Sequence, residues 1–148
     1  METILDLLDR AAARFPDAIA LEGEEEGGGR TAITRTGLKR RAAALARALI
    51  AAGLRPGDPV ALLSPNRPEW GVGYFGALLA GGVLVPLDVN LKAGELTNII
   101  ARSGAVALLT DAAEADRGAE LRGLLKGART LLRIDGEEAS APGDGAPP

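Results

Sequence analysis

Apolar residues recur along this chain in two rhythms, one helical and one of short unbroken runs. Ile4, Leu5, Leu8, Ala11 and Ala12 stand at helical spacing, with Thr3 placed to cap the helix and Asp6 three residues on. Phe15-Pro16 ends it, because a residue before proline is pushed out of the α region. Residues 18–21 then read as a strand, 22–30 as a charged glycine-rich loop and 31–34 as a return strand, which predicts a hairpin. From Thr36, the positions Leu38, Ala42, Leu45, Ala46, Leu49 and Ile50 mark an amphipathic helix, and Gly53 is placed to end it in a left-handed conformation.

Downstream the two rhythms alternate. Val60-Ala61-Leu62-Leu63 is an apolar run after the turn Pro56-Gly57-Asp58. Asn66 is expected to cap the next helix, with Glu69 completing a capping box, and that helix should run to Ala80 before Gly81-Gly82. Val83-Leu84-Val85 is the next strand, closed by Pro86. A helix over 95–102 buries Leu96, Ile99 and Ile100 and ends at Gly104. A strand over 106–109, a helix over 115–125 and a strand over 130–134 follow. Unbroken apolar strands separated by helices predict an α/β fold. Its parallel sheet carries helices on both faces, preceded by an N-terminal helix and a short β-hairpin. Residues 136–148 are Gly, Pro, Ala, Ser and acids with no apolar anchor, so they read as a flexible tail behind a folded part over 1–135.

Composition narrows the chemistry. The 148 residues include no Cys and no His, which removes disulfides, thiolate nucleophiles, Cys/His zinc sites and imidazole acid–base catalysis. Net charge is -3, against a dedicated nucleic-acid binder. The opening Met1-Glu2-Thr3-Ile4 lacks the basic region of a signal peptide, so a cytoplasmic location is expected. Glu24-Glu25-Glu26 reads as a solvated loop tip rather than a metal site, and the basic positions Lys39, Arg40, Arg41 and Arg47 as a solvated helix face.

Two motifs invite other readings. Gly71, Gly73 and Gly76 spell G-x-G-x-x-G, with Asp88 after the next strand where a ribose-binding acid would sit. A dinucleotide site needs those glycines in the strand-to-helix turn, whereas here seven residues intervene, so close packing within the helix is the expected use. The uncharged 18 residues of 70–87 reach the lower limit of a membrane span, but five glycines and a Gly-Gly break divide them into a helix and a strand.

Read in order, several strings resemble the AMP-forming adenylating superfamily of acyl-CoA synthetases, luciferases and peptide-synthetase adenylation domains. They are Arg14-Phe15-Pro16-Asp17 with Ile19-Ala20-Leu21, Pro56-Gly57-Asp58-Pro59-Val60, Asn66-Arg67-Pro68-Glu69-Trp70, and Gly81 to Asp88 with its Val-Pro-Leu-Asp ending. Glu95-Leu96, Ser103-Gly104-Ala105 and Leu108-Leu109-Thr110 continue the match, which covers residues 3–134. Arg35 stands where the family usually has an aromatic beside the Thr. Asn66 to Trp70 and the Asn-Leu-Lys-Ala-Gly-Glu-Leu stretch from Asn90 look closer to fatty or aromatic acyl-CoA synthetases than to peptide-synthetase domains.

The resemblance implies the N-terminal part of a large adenylation domain. The complete enzyme would turn a carboxylic or fatty acid, ATP and CoA into acyl-CoA, AMP and pyrophosphate, with magnesium as cofactor. It also implies that the phosphate loop, the AMP- and magnesium-gripping segment and the catalytic lysine lie elsewhere, because none of their strings occurs here. The isolated chain is therefore expected to bind no cofactor by itself and to be catalytically silent, with the remainder of the enzyme as its partner. Arg117 sits where the family can contact a CoA phosphate, with Arg122 beyond it; exposed helix arginines are the plainer reading. Leu78, Leu79 and Val85 read as core rather than acyl pocket. Two other readings stay open: a non-catalytic interaction module of the same fold, and a dinucleotide-binding domain.

Overall fold

The computed structural model describes residues 1–25 and 27–136. Helix α1 (Ile4–Arg14) begins as its sequence dictates: the Thr3 hydroxyl accepts the Asp6 N–H, and the Asp6 carboxylate accepts the Thr3 N–H at 2.8 Å. Phe15 ends it ahead of Pro16. Strands β1 (Ile19–Glu24) and β2 (Arg30–Thr34) form an antiparallel hairpin, longer at its first strand than the sequence reading, which left 22–24 in the loop. Helix α2 (Arg35–Ala51) follows at once, capped by the Thr34 hydroxyl on the Gly37 N–H at 3.0 Å. Gly53 closes it at φ 101°, where its N–H reaches Ile50 and that of Leu54 reaches Leu49, a paired C-terminal lock that a side chain at this φ would strain.

Strand β3 (Pro59–Leu63), α3 (Pro68–Leu79), β4 (Val83–Leu87), α4 (Ala93–Ser103), β5 (Ala107–Thr110), α5 (Ala115–Leu121) and β6 (Thr130–Arg133) follow among the described residues. All four later strands are parallel, in the order β4-β3-β5-β6. Their side chains alternate between two cores. Val60, Leu62, Ala107, Leu109 and Leu132 face a cluster with Leu38, Leu45 and Leu49 of α2 and Val72 and Ala77 of α3. Ala61, Leu63, Leu108 and Leu131 face the other, with Leu96 and Ile100 of α4 and Leu121 of α5. Both faces of the sheet are covered, which is why its central strands are apolar without alternation.

Several sequence expectations change. The cap of α3 is Arg67, not Asn66, and it makes no side-chain cap bond; Pro68 at the first position presets the helix, and Glu69 accepts from Arg67 instead of closing a capping box. Pro86 does not close β4, which runs on to Leu87. Val83 donates to Asp58, so Pro86 turns its missing N–H outward on an edge strand, where no ladder bond is lost. Helix α5 stops at Leu121 and a single 3₁₀ turn covers 122–124. Ile50 and Leu79 are exposed rather than core, and Leu78 is half-buried. Apart from Gly136, the tail 136–148 lies outside the described residues.

The three glycines of the G-x-G-x-x-G string fall inside α3 and serve contact. A Cβ on Gly73 would stand 3.0 Å from Leu62, and one on Gly76 would stand 2.6 Å from Leu45. Among the described residues no helix is long and apolar enough to cross a membrane.

Candidate functional site

Helical connections leave β3 toward β4 on one side, while β5 lies on the other, so the chain reverses direction about β3. In open parallel sheets that switch opens a crevice outside the carboxyl ends of the two diverging strands, here β3 and β5. The residues there are charged. Arg67, four residues past β3, donates from Nε to Glu69 at 2.9 Å and from Nη1 to Asp111 at 2.9 Å. Asp111, directly after β5, is fully buried, and its other oxygen accepts the Glu114 N–H at 3.1 Å. Asp135, just past β6, takes both Arg133 donors at 2.7 and 2.9 Å and the Ala112 N–H at 2.8 Å. It lies 4.0 Å from the Arg67 guanidinium. One network therefore ties together the loops that leave three strands.

The electrostatics are those of a clamp. Burial would lower the basicity of Arg67, but its bonds to Asp111 and Glu69 raise it above the ordinary value. Burial would likewise raise the Asp135 carboxyl, yet Arg133 and the Ala112 N–H bring it below the usual carboxylate range. The Asp135 bond also raises Arg133. Asp111 and Asp135 each accept from a guanidinium and a backbone N–H, so the cluster fixes the relative positions of the loops that carry it.

A groove of about 620 Å³ runs beside it along the carboxyl end of β3 and β4, walled by Ser64, Asn66 and Trp70 on one side and Asp88 to Asn90 on the other. The Asp88 Oδ1 accepts the Asn90 backbone and side-chain N–H groups, both at 2.9 Å, and shapes the loop. Arg117 holds that loop from α5. It donates to the Val89 and Leu91 carbonyls, both at 2.8 Å, and to Glu114 at 3.0 Å. Its side chain is about one-third exposed, so it is less free than a solvated helix arginine. Arg122 is exposed and donates to the Arg129 carbonyl at 2.8 Å.

Sequence reasoning singled out Arg117 but passed over Arg67, Asp111 and Asp135 as a set. A signal was available: each is a charge within four residues of the end of an apolar strand, the place where a parallel sheet opens to ligands. Among the described residues no three His, Cys, Asp or Glu side chains could hold a metal ion. Glu25 instead accepts from the Thr31 hydroxyl, and Glu26 lies outside the described residues.

Known proteins match this arrangement over most of its length. The family model described as AMP-binding enzyme matches residues 8–146. A feruloyl-CoA synthase of an Amycolatopsis species is 42% identical over 138 residues, which is 93% of this chain and 26% of that protein. The phosphinothricin tripeptide synthetase PhsC of Streptomyces viridochromogenes is 36% identical over 115 residues, 78% of this chain and 10% of its own. Among solved structures, the N-terminal domain of FACL13 from Mycobacterium tuberculosis superposes with a TM-score of 0.73 at 28% identity, covering 91% of this chain and 34% of that one. The chain thus spans about a quarter of the acyl-CoA synthase it matches. A family match over residues 8–146, together with relatives and a solved structure that cover most of this chain, places it in the AMP-binding enzyme family as part of the N-terminal region of an adenylating enzyme.

Proposed function

We propose that the chain is the N-terminal scaffold of an AMP-forming acyl-CoA ligase acting on a fatty or aromatic carboxylic acid. In that reaction the acid's carboxylate attacks the α-phosphate of ATP, pyrophosphate leaves, and the CoA thiol then displaces AMP from the acyl-adenylate. The observation that carries the reading is the 42% identity to a feruloyl-CoA synthase over 93% of this chain. Adenylation needs cations and donors aimed at the charge that develops on the α-phosphate. Here Arg67 and Arg133 are committed to buried carboxylates. The chain's contribution is a rigid sheet edge, with ATP, magnesium and the catalytic lysine engaged by the remainder of the enzyme in the cytoplasm. The scaffold is residues 1–135, with the Gly-, Pro- and acid-rich stretch 136–148 as a separate segment. Arg117 meets a CoA phosphate only through N–H groups that its loop bonds leave over.

The test has two arms. The purified chain is incubated with ATP, magnesium, CoA and either ferulate or a long-chain fatty acid, and acyl-adenylate and pyrophosphate are measured. No product is expected. The same mixture is then supplemented with the feruloyl-CoA synthase lacking its matching N-terminal quarter, and turnover is expected to appear. Acyl-adenylate from the chain alone overturns the scaffold reading, and failure to complement overturns the assignment to this ligase.

A further inference from the structure

Three arginines of α2 border the ion network without joining it. Arg40, Arg41 and Arg47 line one side of a groove of about 710 Å³, with Glu69, Asp135 and Gly136 on the other. Glu69 and Asp135 are already matched by Arg67 and Arg133. Among the described residues no carboxylate stands at ion-pair distance from the three α2 arginines. Arg41 is half-buried; its Nε is buried with no hydrogen-bond partner among the described residues. Its Nη2 reaches only the Ile134 and Gly136 carbonyls, at 3.4 and 3.5 Å, the long limit of a hydrogen bond. A concentration of unmatched positive charge around an unfilled donor runs against the chain's net charge of -3.

We propose that this groove binds an oligophosphate anion, with Arg41 at its floor and Arg40 and Arg47 at its rim. Guanidinium forks pair two N–H groups with two phosphate oxygens and lose little freedom in doing so. Arg40 and Arg47 are seven residues apart on one helix, a rise of about 10 Å, which suits a chain of linked phosphates better than a single one. The site goes beyond the ligase reading, which assigns no role to α2.

Calorimetric titration of the purified chain with sodium tripolyphosphate at low ionic strength tests it. Sulfate at matched ionic strength and a single-stranded oligonucleotide serve as comparisons. Saturable binding of one tripolyphosphate is expected, tighter than either comparison and weakened by added salt. R47A, and more so R40A/R47A, should weaken it roughly tenfold or more, since each removes charge-assisted bonds. Both positions are exposed, so thermal unfolding should change little. R102A, on α4 across the sheet, should bind as the parent does. Unsaturable binding, binding untouched by R40A/R47A, or affinity no better than for sulfate overturns the proposal. Tighter binding of the oligonucleotide overturns it too. So does binding that emerges only in E137Q/E138Q, because the groove would then belong to the acids that follow Gly136 in the sequence.

Discussion

Gly71 and Gly76 sit five residues apart on α3, and replacing each by alanine should move stability in different directions. In a helix interior the exchange by itself favours folding by about 1 kcal/mol. At Gly76 the new Cβ would stand 2.6, 2.9 and 3.0 Å from Cδ2, Cγ and Cβ of Leu45. Leu45 is fully buried and its Cβ moves only with the α2 backbone, so no change of rotamer relieves the overlap. The two helices must part, at the upper part of the roughly 1–3 kcal/mol that overpacking costs. G76A should therefore lose about 1–2 kcal/mol net. At Gly71 the Cβ would overlap only Leu21 Cδ1, with Cγ and Cδ2 at 3.6 and 3.8 Å. Leu21 is half-buried on the hairpin, and turning its terminal torsion costs about 0.5–1 kcal/mol. G71A should come out neutral or slightly stabilised. Urea unfolding of both variants reads the difference as a shift in midpoint at constant slope, and heat as a gap of about 3–8 °C in Tm. If G76A proves as stable as G71A, these glycines are not there for helix packing and the nucleotide-motif reading regains its ground.

Arg67→Ala leaves fully buried Asp111 and nearly buried Glu69 without their cation and should destabilise the chain by about 3–5 kcal/mol, read by the same urea series. The Asp135 carboxyl is depressed in the folded chain, so its contribution is complete above the ordinary aspartate range and is lost as pH falls through the lower folded value. D135N should flatten the stability curve below about pH 4 relative to the parent. R117A should speed hydrogen exchange at the Asn90 and Leu91 amides, which now bond to Asp88, by roughly tenfold or more, with R117K intermediate and exchange across β5 unchanged. Thr3→Ala removes the α1 cap and should cost about 1 kcal/mol by thermal unfolding.

Local chemistry determined the elements. Thr3 with Asp6, Pro16 after Phe15, Gly53 and Gly104 each act on backbone groups within a few residues, and each stands in the structure where the sequence put it. The apolar stretches 60–63, 106–109 and 130–134 likewise announced strands covered on both faces, because no other setting hides both sides of a strand. The order β4-β3-β5-β6 was decided only by tertiary structure, and with it went Pro86, which a strand tolerates only once that strand lies at an edge. The capping role expected of Asn66 failed for a similar reason. Pro68 sets the first turn, and the preceding Arg67 is drawn by Asp111, 44 residues away, rather than by its own helix. Leu79 and Ile50 carry apolar side chains in the right rhythm, yet which stretch of a helix meets the sheet depends on how α2 and α3 lean on each other. Partners close in sequence can be read from spacing; partners brought together by chain reversal acquire their meaning only when the sheet assembles.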